Sequence, residues 1–120
     1  MGYSVKLVDR ITNETLQADS PHQMRGGIYL VCGTQYLWLS ITYNYAQFFI
    51  KDDVLGKDGL MRINGLSGAD SIPILEEATR SLKNNVSSNY WDETEGNAKR
   101  ALIQLLAMAK IRPDGIWKVD

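Results

Sequence analysis

The stretch TEGNAKRALIQLLAMAKIRPDGIWKVD, residues 94–120, decides the fold class. Within it Ala98, Ala101, Leu102, Leu105, Leu106 and Ala109 recur with the three- and four-residue spacing that lines one face of an α-helix. Thr94 supplies N-cap chemistry at the start, and Pro113 stops the helix because its ring clashes with the preceding turn and it has no N–H to donate. Asp114-Gly115 then turns the chain into residues 116–119, which read as a short strand. A lone strand that follows a helix needs earlier strands to pair with, so the N-terminal half has to supply a sheet.

Working outward, a second helix is expected before this one. Ser67 or Asp70 caps it, Ile72, Leu75, Ala78 or Thr79, and Leu82 form its apolar stripe, and Asn84-Asn85 end it. Pro73 is tolerable only near its first turn. Upstream, Tyr45, Phe48 and Phe49 have helical spacing, with Thr42 or Asn44 as cap, and residues 56–65 form a glycine-bearing connection. The first forty residues alternate instead. Tyr3, Val5 and Leu7 fall on one face of a strand with Ser4 and Lys6 on the other, and residues 15–18 form a second extended piece before a break at Ser20-Pro21. Residues 28–32 and 36–41, joined by Gly33-Thr34, read as a hairpin. Apolar side chains on both parities of the second arm suggest a central strand covered on both sides.

Strands first, helices second and a terminal strand describe a single α+β domain over residues 1–120. An antiparallel sheet of four or five strands is expected, mostly N-terminal plus the short C-terminal one, packed against two or three helices. At 120 residues such a domain buries about two-thirds of its unfolded surface, enough for one core without covalent staples. One cysteine, Cys32, and one histidine, His22, provide neither a disulfide nor a structural zinc set. The exposed edges of such a slab favour self-association, which leaves a homo-oligomer as an open reading.

Thirteen basic against fourteen acidic side chains give a net charge of −1, and Lys and Arg are dispersed singly, which disfavours general nucleic-acid binding. No apolar run approaches the roughly 20 residues that cross a bilayer, and residues 1–10 have no signal-peptide pattern, so a cytoplasmic, non-membrane protein is expected.

Catalytic chemistry finds little support. His22 sits in a Pro-His-Gln segment with no partner motif, and Cys32 lies inside an apolar run where a buried, unreactive thiol is the ordinary state. Asp52-Asp53 and Glu76-Glu77 are adjacent pairs, and neighbours on a helix point in different directions, so neither pair makes a two-ligand site. Arg25-Gly26-Gly27 and Asn64-Gly65-Leu66-Ser67-Gly68 match no phosphate-loop pattern. The expectation is a protein without catalytic residues, metal or cofactor.

The locally unusual feature is the crowding of Trp38, Tyr43, Tyr45, Phe48 and Phe49 around Thr42 and Asn44 at a strand-to-helix junction. Backbone N–H groups at a helix start, hydrogen bonds from Thr42 and Asn44 and a stacking Tyr43 describe a nucleotide-sized site, with Arg25 and Arg62 as the cations that reach a phosphate. Core packing explains most of these rings equally well. Tyr90 and Trp91, ahead of the Thr94 cap, are candidates for either a hydrophobic staple or a protein-interaction surface. Gly96, in the first turn of the last helix, weakens it by about 1 kcal/mol relative to alanine and is read as allowing close approach of another group.

Three segments carry a resemblance: WLSITYNYAQFF (38–49), LSGADSIPILEEATRSL (66–82) and YWDETEGNAKRALIQLLAMAKIRPDGIWKVD (90–120). Together they resemble a family of small proteins encoded by phages, prophages and their bacterial hosts. That family has an Ile-Thr-(His/Tyr)-Asn turn, an Ile-Pro-Leu-type helix start and a Gly-Asn-Ala helix ending before Arg/His-Pro-Asp-Gly. It supplies no reaction to carry over, and its frequent histidine is Tyr43 here, so a role requiring imidazole at that position does not transfer. The resemblance implies a phage or mobile-element accessory protein in the bacterial cytoplasm. Such a protein counteracts a host defence system by occupancy, sequestering a nucleotide-like signal or occluding a defence protein. A structural or assembly adaptor, and a small enzyme with a site built from scattered carboxylates and Tyr43, are the alternatives.

Replacing His22 or Cys32 with alanine is expected to leave biological activity intact. Loss of activity at an unchanged melting temperature in either variant would establish a reacting imidazole or thiol.

Overall fold

The computed structural model describes residues 2–22, 34–85, 89 and 92–120, and the side chains of residues 20–22 and 34 lie outside that description. Among the described residues five strands and three helices follow in the order β1 (Gly2–Val8), β2 (Gln17–His22), β3 (Thr34–Tyr36), β4 (Trp38–Thr42), α1 (Ala46–Phe49), α2 (Gly68–Arg80), α3 (Glu95–Ile111) and β5 (Ile116–Val119), with 3₁₀ turns at Tyr43–Tyr45 and Gly59–Ile63. The fold is α+β. The strands divide into an antiparallel three-stranded sheet, ordered β4-β1-β5, and a two-stranded ribbon of β2 and β3.

β1, rather than the 36–41 segment, is therefore the central strand. The aromatic side chains on the second parity of that segment mislead, because Leu37, Leu39 and Ile41 point into the core while Tyr36 and Trp38 face outward. The segment is also split. At Leu37 the backbone N–H donates to the Leu16 carbonyl (2.8 Å) and the carbonyl accepts from Leu7 (2.9 Å), so the chain passes here from the ribbon into the sheet. Thr34 belongs to β3 and not to a turn, and the expected strand at 28–32 lies outside the described residues. Pro21 falls within β2 instead of breaking it, a position tolerated in a two-stranded ribbon where one edge needs no donor.

β1 alternates as its sequence requires, with Val5 and Leu7 buried and Ser4 and Lys6 outward. It pairs with β4 through Val5↔Leu39 and Lys6↔Trp38, and with β5 through Val5↔Val119 and Lys6↔Lys118. α2 and α3 cover the inner face, where Leu75, Ala78, Ala101, Leu102 and Leu105 share one core with Val5, Leu39 and Trp117. The radius of gyration is 13.1 Å.

Helix ends follow their caps. Ser67 Oγ accepts from the Asp70 N–H (3.0 Å) and Thr94 Oγ1 from that of Asn97 (3.1 Å). With Ser67 as cap, Pro73 falls just past the first turn of α2 and leaves one helical hydrogen bond unmade there. α1 is only four residues long, because Tyr43–Tyr45 is wound as a 3₁₀ turn and the chain leaves the helix at Ile50. The Gly96 N–H, in the first turn of α3, donates to Asn85 Oδ1 (3.3 Å).

α2 starts against the end of α3 at very short range. A Cβ on Gly68 would lie 2.8 Å from the Arg112 carbonyl oxygen and 3.0 Å from Pro113 Cα, both backbone. Gly68 N–H donates to the Gly115 carbonyl (2.8 Å) and Ala69 N–H to that of Pro113 (3.0 Å). Beneath them the buried Trp117 indole donates to Ser71 Oγ at 2.7 Å, and that hydroxyl donates to the Gly68 carbonyl at 2.8 Å.

Leu105 is fully buried at the centre of the α3 face, so Leu105→Ala is expected to cost about 2–5 kcal/mol in urea unfolding. A loss below about 1 kcal/mol would mean that this face is not packed as described.

Candidate binding site

With both long helices on the inner face, the even-numbered side chains of the three-stranded sheet point the other way. Ser4 and Lys6 come from β1, Trp38 and Ser40 from β4, Ile116 and Lys118 from β5, and all are half-buried. Ser4 and Asp120 exchange both backbone hydrogen bonds (3.0 and 2.9 Å), which fixes the phase of the ladder. Lys6 and Lys118 are then a hydrogen-bonded pair across β1 and β5, whereas Lys6 and Trp38 are the closer, non-hydrogen-bonded type across β1 and β4. The Trp38 ring is held in position, since its Nε1–H donates to Ser4 Oγ at 2.8 Å.

The β2–β3 ribbon and the loop before it raise a wall beside this face, leaving an open groove of about 810 Å³. Ser4, Lys6 and Trp38 line it from the sheet, Thr15, Gln17 and Tyr36 from the ribbon side, and Asn13 and Glu14 from the loop. Gln17 and Tyr36 are opposite one another in the β2–β3 register, and Tyr36 is 51% exposed. The loop is built locally. Asp9 Oδ1 accepts from the N–H groups of Ile11 (2.8 Å) and Thr12 (2.9 Å), its N–H donates to the Glu14 carbonyl (2.8 Å), and Asn13 takes a left-handed conformation (φ 64°) suited to asparagine. The Thr12 N–H, followed by that of Ile11, holds the Asp9 carboxyl below the ordinary aspartate range.

The groove thus combines two aromatic faces, one lysine, one carboxylate and several uncharged hydrogen-bonding groups. Among the described residues neither Lys6, Lys118 nor Glu14 forms an ion pair; the pairs present are Lys51–Glu95 (3.6 Å) and Arg112–Asp114 (2.9 Å). Among the described residues no group of His, Cys, Asp or Glu is arranged to hold a metal ion.

The residues singled out from the sequence are distributed differently. Thr42 is buried, and its Oγ1 accepts from the Asn44 N–H (3.2 Å), capping the 3₁₀ turn. Tyr43 is 46% exposed and stands edge-on to Tyr3, ring centroids 4.7 Å apart. Burial, and then the nearby Tyr43, push the Tyr3 phenol above its ordinary pKa. Tyr45 and Phe49 are core residues in T-shaped contact. Arg62 lies elsewhere, in a concavity of about 310 Å³ with Asp52, Asp53 and Glu77, where three carboxylates oppose an anion. Neither concavity is lined by Thr42, Tyr43 or Asn44. Arg25, Tyr90 and Trp91, together with Cys32 and the His22 imidazole, lie outside the described residues.

Sequence reasoning missed Tyr36, Lys6, Gln17 and Glu14 as a group. The available signal was parity: Tyr36 and Trp38 share a face with Ser40, opposite Leu37, Leu39 and Ile41.

Thr42→Ala removes the cap and is expected to lower stability by about 0.5–2 kcal/mol, measured by thermal unfolding, without changing what the groove binds. A binding defect at unchanged stability would return the site to the strand-to-helix junction.

Comparison of the chain with protein-family models, with curated proteins and with solved structures gives no match, so the chemistry of the groove is what bears on function.

Proposed function

We propose that this protein acts by binding rather than by catalysis, and that the outer-face groove holds a small nucleotide-like ligand. The observation that carries this reading is the Trp38 indole, pinned by Ser4 on the floor of an 810 Å³ groove with Lys6 beside it in register. An immobilised ring has already lost the rotamer freedom that stacking would cost, and a base stacked on an aromatic side chain contributes about 1–3 kcal/mol. Glu14 and Asn13 on the loop and Gln17 on the ribbon offer both acceptors and donors for base or sugar edges. The groove falls within the roughly 300–1,000 Å³ typical of small-ligand sites.

In this reading the protein is a phage or mobile-element accessory factor that counteracts a host defence system by sequestering a nucleotide-like signal. The resemblance of residues 38–49, 66–82 and 90–120 to phage-encoded proteins supports that setting. Action by occupancy needs affinity and no reacting group, and the Ser4 hydroxyl in this groove is engaged in accepting from the Trp38 indole.

The test is titration calorimetry of nucleosides and nucleotides against wild type, Trp38→Ala and Trp38→Phe, with thermal unfolding of each. Trp38→Ala is expected to weaken binding by about 1–3 kcal/mol and Trp38→Phe by less. Binding by Trp38→Ala equal to wild type would refute the groove as the site.

A further inference from the structure

A row of three side chains crosses the outer face perpendicular to the strands: Trp38 on β4, Lys6 on β1 and Lys118 on β5. Lys6 is the register partner of both others. Two lysines directly opposite one another in an antiparallel pair repel, and alternation asks only for a polar residue at either position. Among the described residues no carboxylate lies within ion-pair distance of either.

We propose that Lys6 and Lys118 form a two-cation cradle for the phosphate of a phosphorylated nucleoside whose base stacks on Trp38. This rests on the groove being the ligand site and adds to it a residue, Lys118, that does not line the groove, and a ligand class, 5′-nucleotides over nucleosides. Two inter-strand spacings separate Trp38 from Lys118 at the backbone, about 9–10 Å, a span that long lysine side chains shorten to the base-to-phosphate distance of one nucleotide. The phosphate relieves the like-charge repulsion, and being on an exposed sheet face the attraction is screened by salt over about 10 Å at 0.1 M. Uncharged nucleosides gain none of this.

The experiment titrates the four nucleosides and their 5′-monophosphates into wild type and Lys118→Gln at low and moderate salt, with melting temperatures recorded in phosphate and in chloride at matched ionic strength. Wild type is expected to bind its preferred monophosphate at least about tenfold more tightly than the matching nucleoside. Lys118→Gln, which leaves Lys6 in place, should lose most of that preference and part of its salt dependence, keep its nucleoside affinity, and melt no lower than wild type. Phosphate should raise the melting temperature of wild type and not of Lys118→Gln. Equal affinity of nucleoside and monophosphate for wild type, or unchanged monophosphate affinity in Lys118→Gln, overturns the cradle while leaving the groove in place. Absence of binding by all eight compounds overturns both.

Discussion

The seam between residues 64–71 and 113–119 is the constraint on which the rest of the structure depends. Along it Ala69 donates to Pro113, Gly68 to Gly115, Trp117 to Leu66 and Gly65 to Trp117, and Asn64 Oδ1 accepts from Val119. The sequence chemistry behind this is specific. Only glycine at position 68 lets the α2 backbone come so close to the end of α3, and Pro113 breaks α3 where the chain must turn back beneath α2. Because Ser71 ties the Trp117 indole to α2 while Trp117 pairs with Leu7, the seam joins the helix layer to the sheet layer through polar contacts within an apolar core. A buried indole N–H left without its acceptor is costly, about 1–3 kcal/mol, so the hydroxyl at position 71 and the ring at position 117 specify each other.

The outer face inherits its order from this inner arrangement. β5 is held on one edge by residues 64–68 and on the other by β1, which leaves its even-numbered side chains one direction in which to point. Lys118 therefore stands at a fixed height beside Lys6, and Trp38 is set by β4 and by Ser4. The sheet acts as a plate whose inner side is secured by packing and whose outer side presents polar and aromatic groups in register.

How much of this was legible in the sequence follows from the range of the signals. α3 and β5 are readable almost to the residue, because a cap, a stripe and a proline stop are local events: Thr94, the alanine and leucine face, and Pro113 each act within one or two turns. The alternation of β1 is equally local. Its position at the centre of the sheet is not, since that depends on pairing with Val119 at the far end of the chain, and apolar content alone favoured the 36–41 segment. The candidate site suffered more. Aromatic density drew attention to residues 38–49, where Tyr45 and Phe49 are core and Trp38 alone lines the groove, whereas the groove as a whole is assembled from β1, the 13–17 segment, β3 and β4, which only tertiary structure brings together.

The pairing of β1 with β5 also has a consequence in time. In a chain made from its N-terminus, β1 leaves the ribosome more than a hundred residues before β5, while the helices between them form from local contacts. Until β5 is made, one edge of the central strand, with Val5 and Leu7 on its apolar face, waits for its partner. The alternation of Lys6 with those residues places a charge in the middle of the waiting edge, which discourages it from pairing with the same strand of a neighbouring nascent chain.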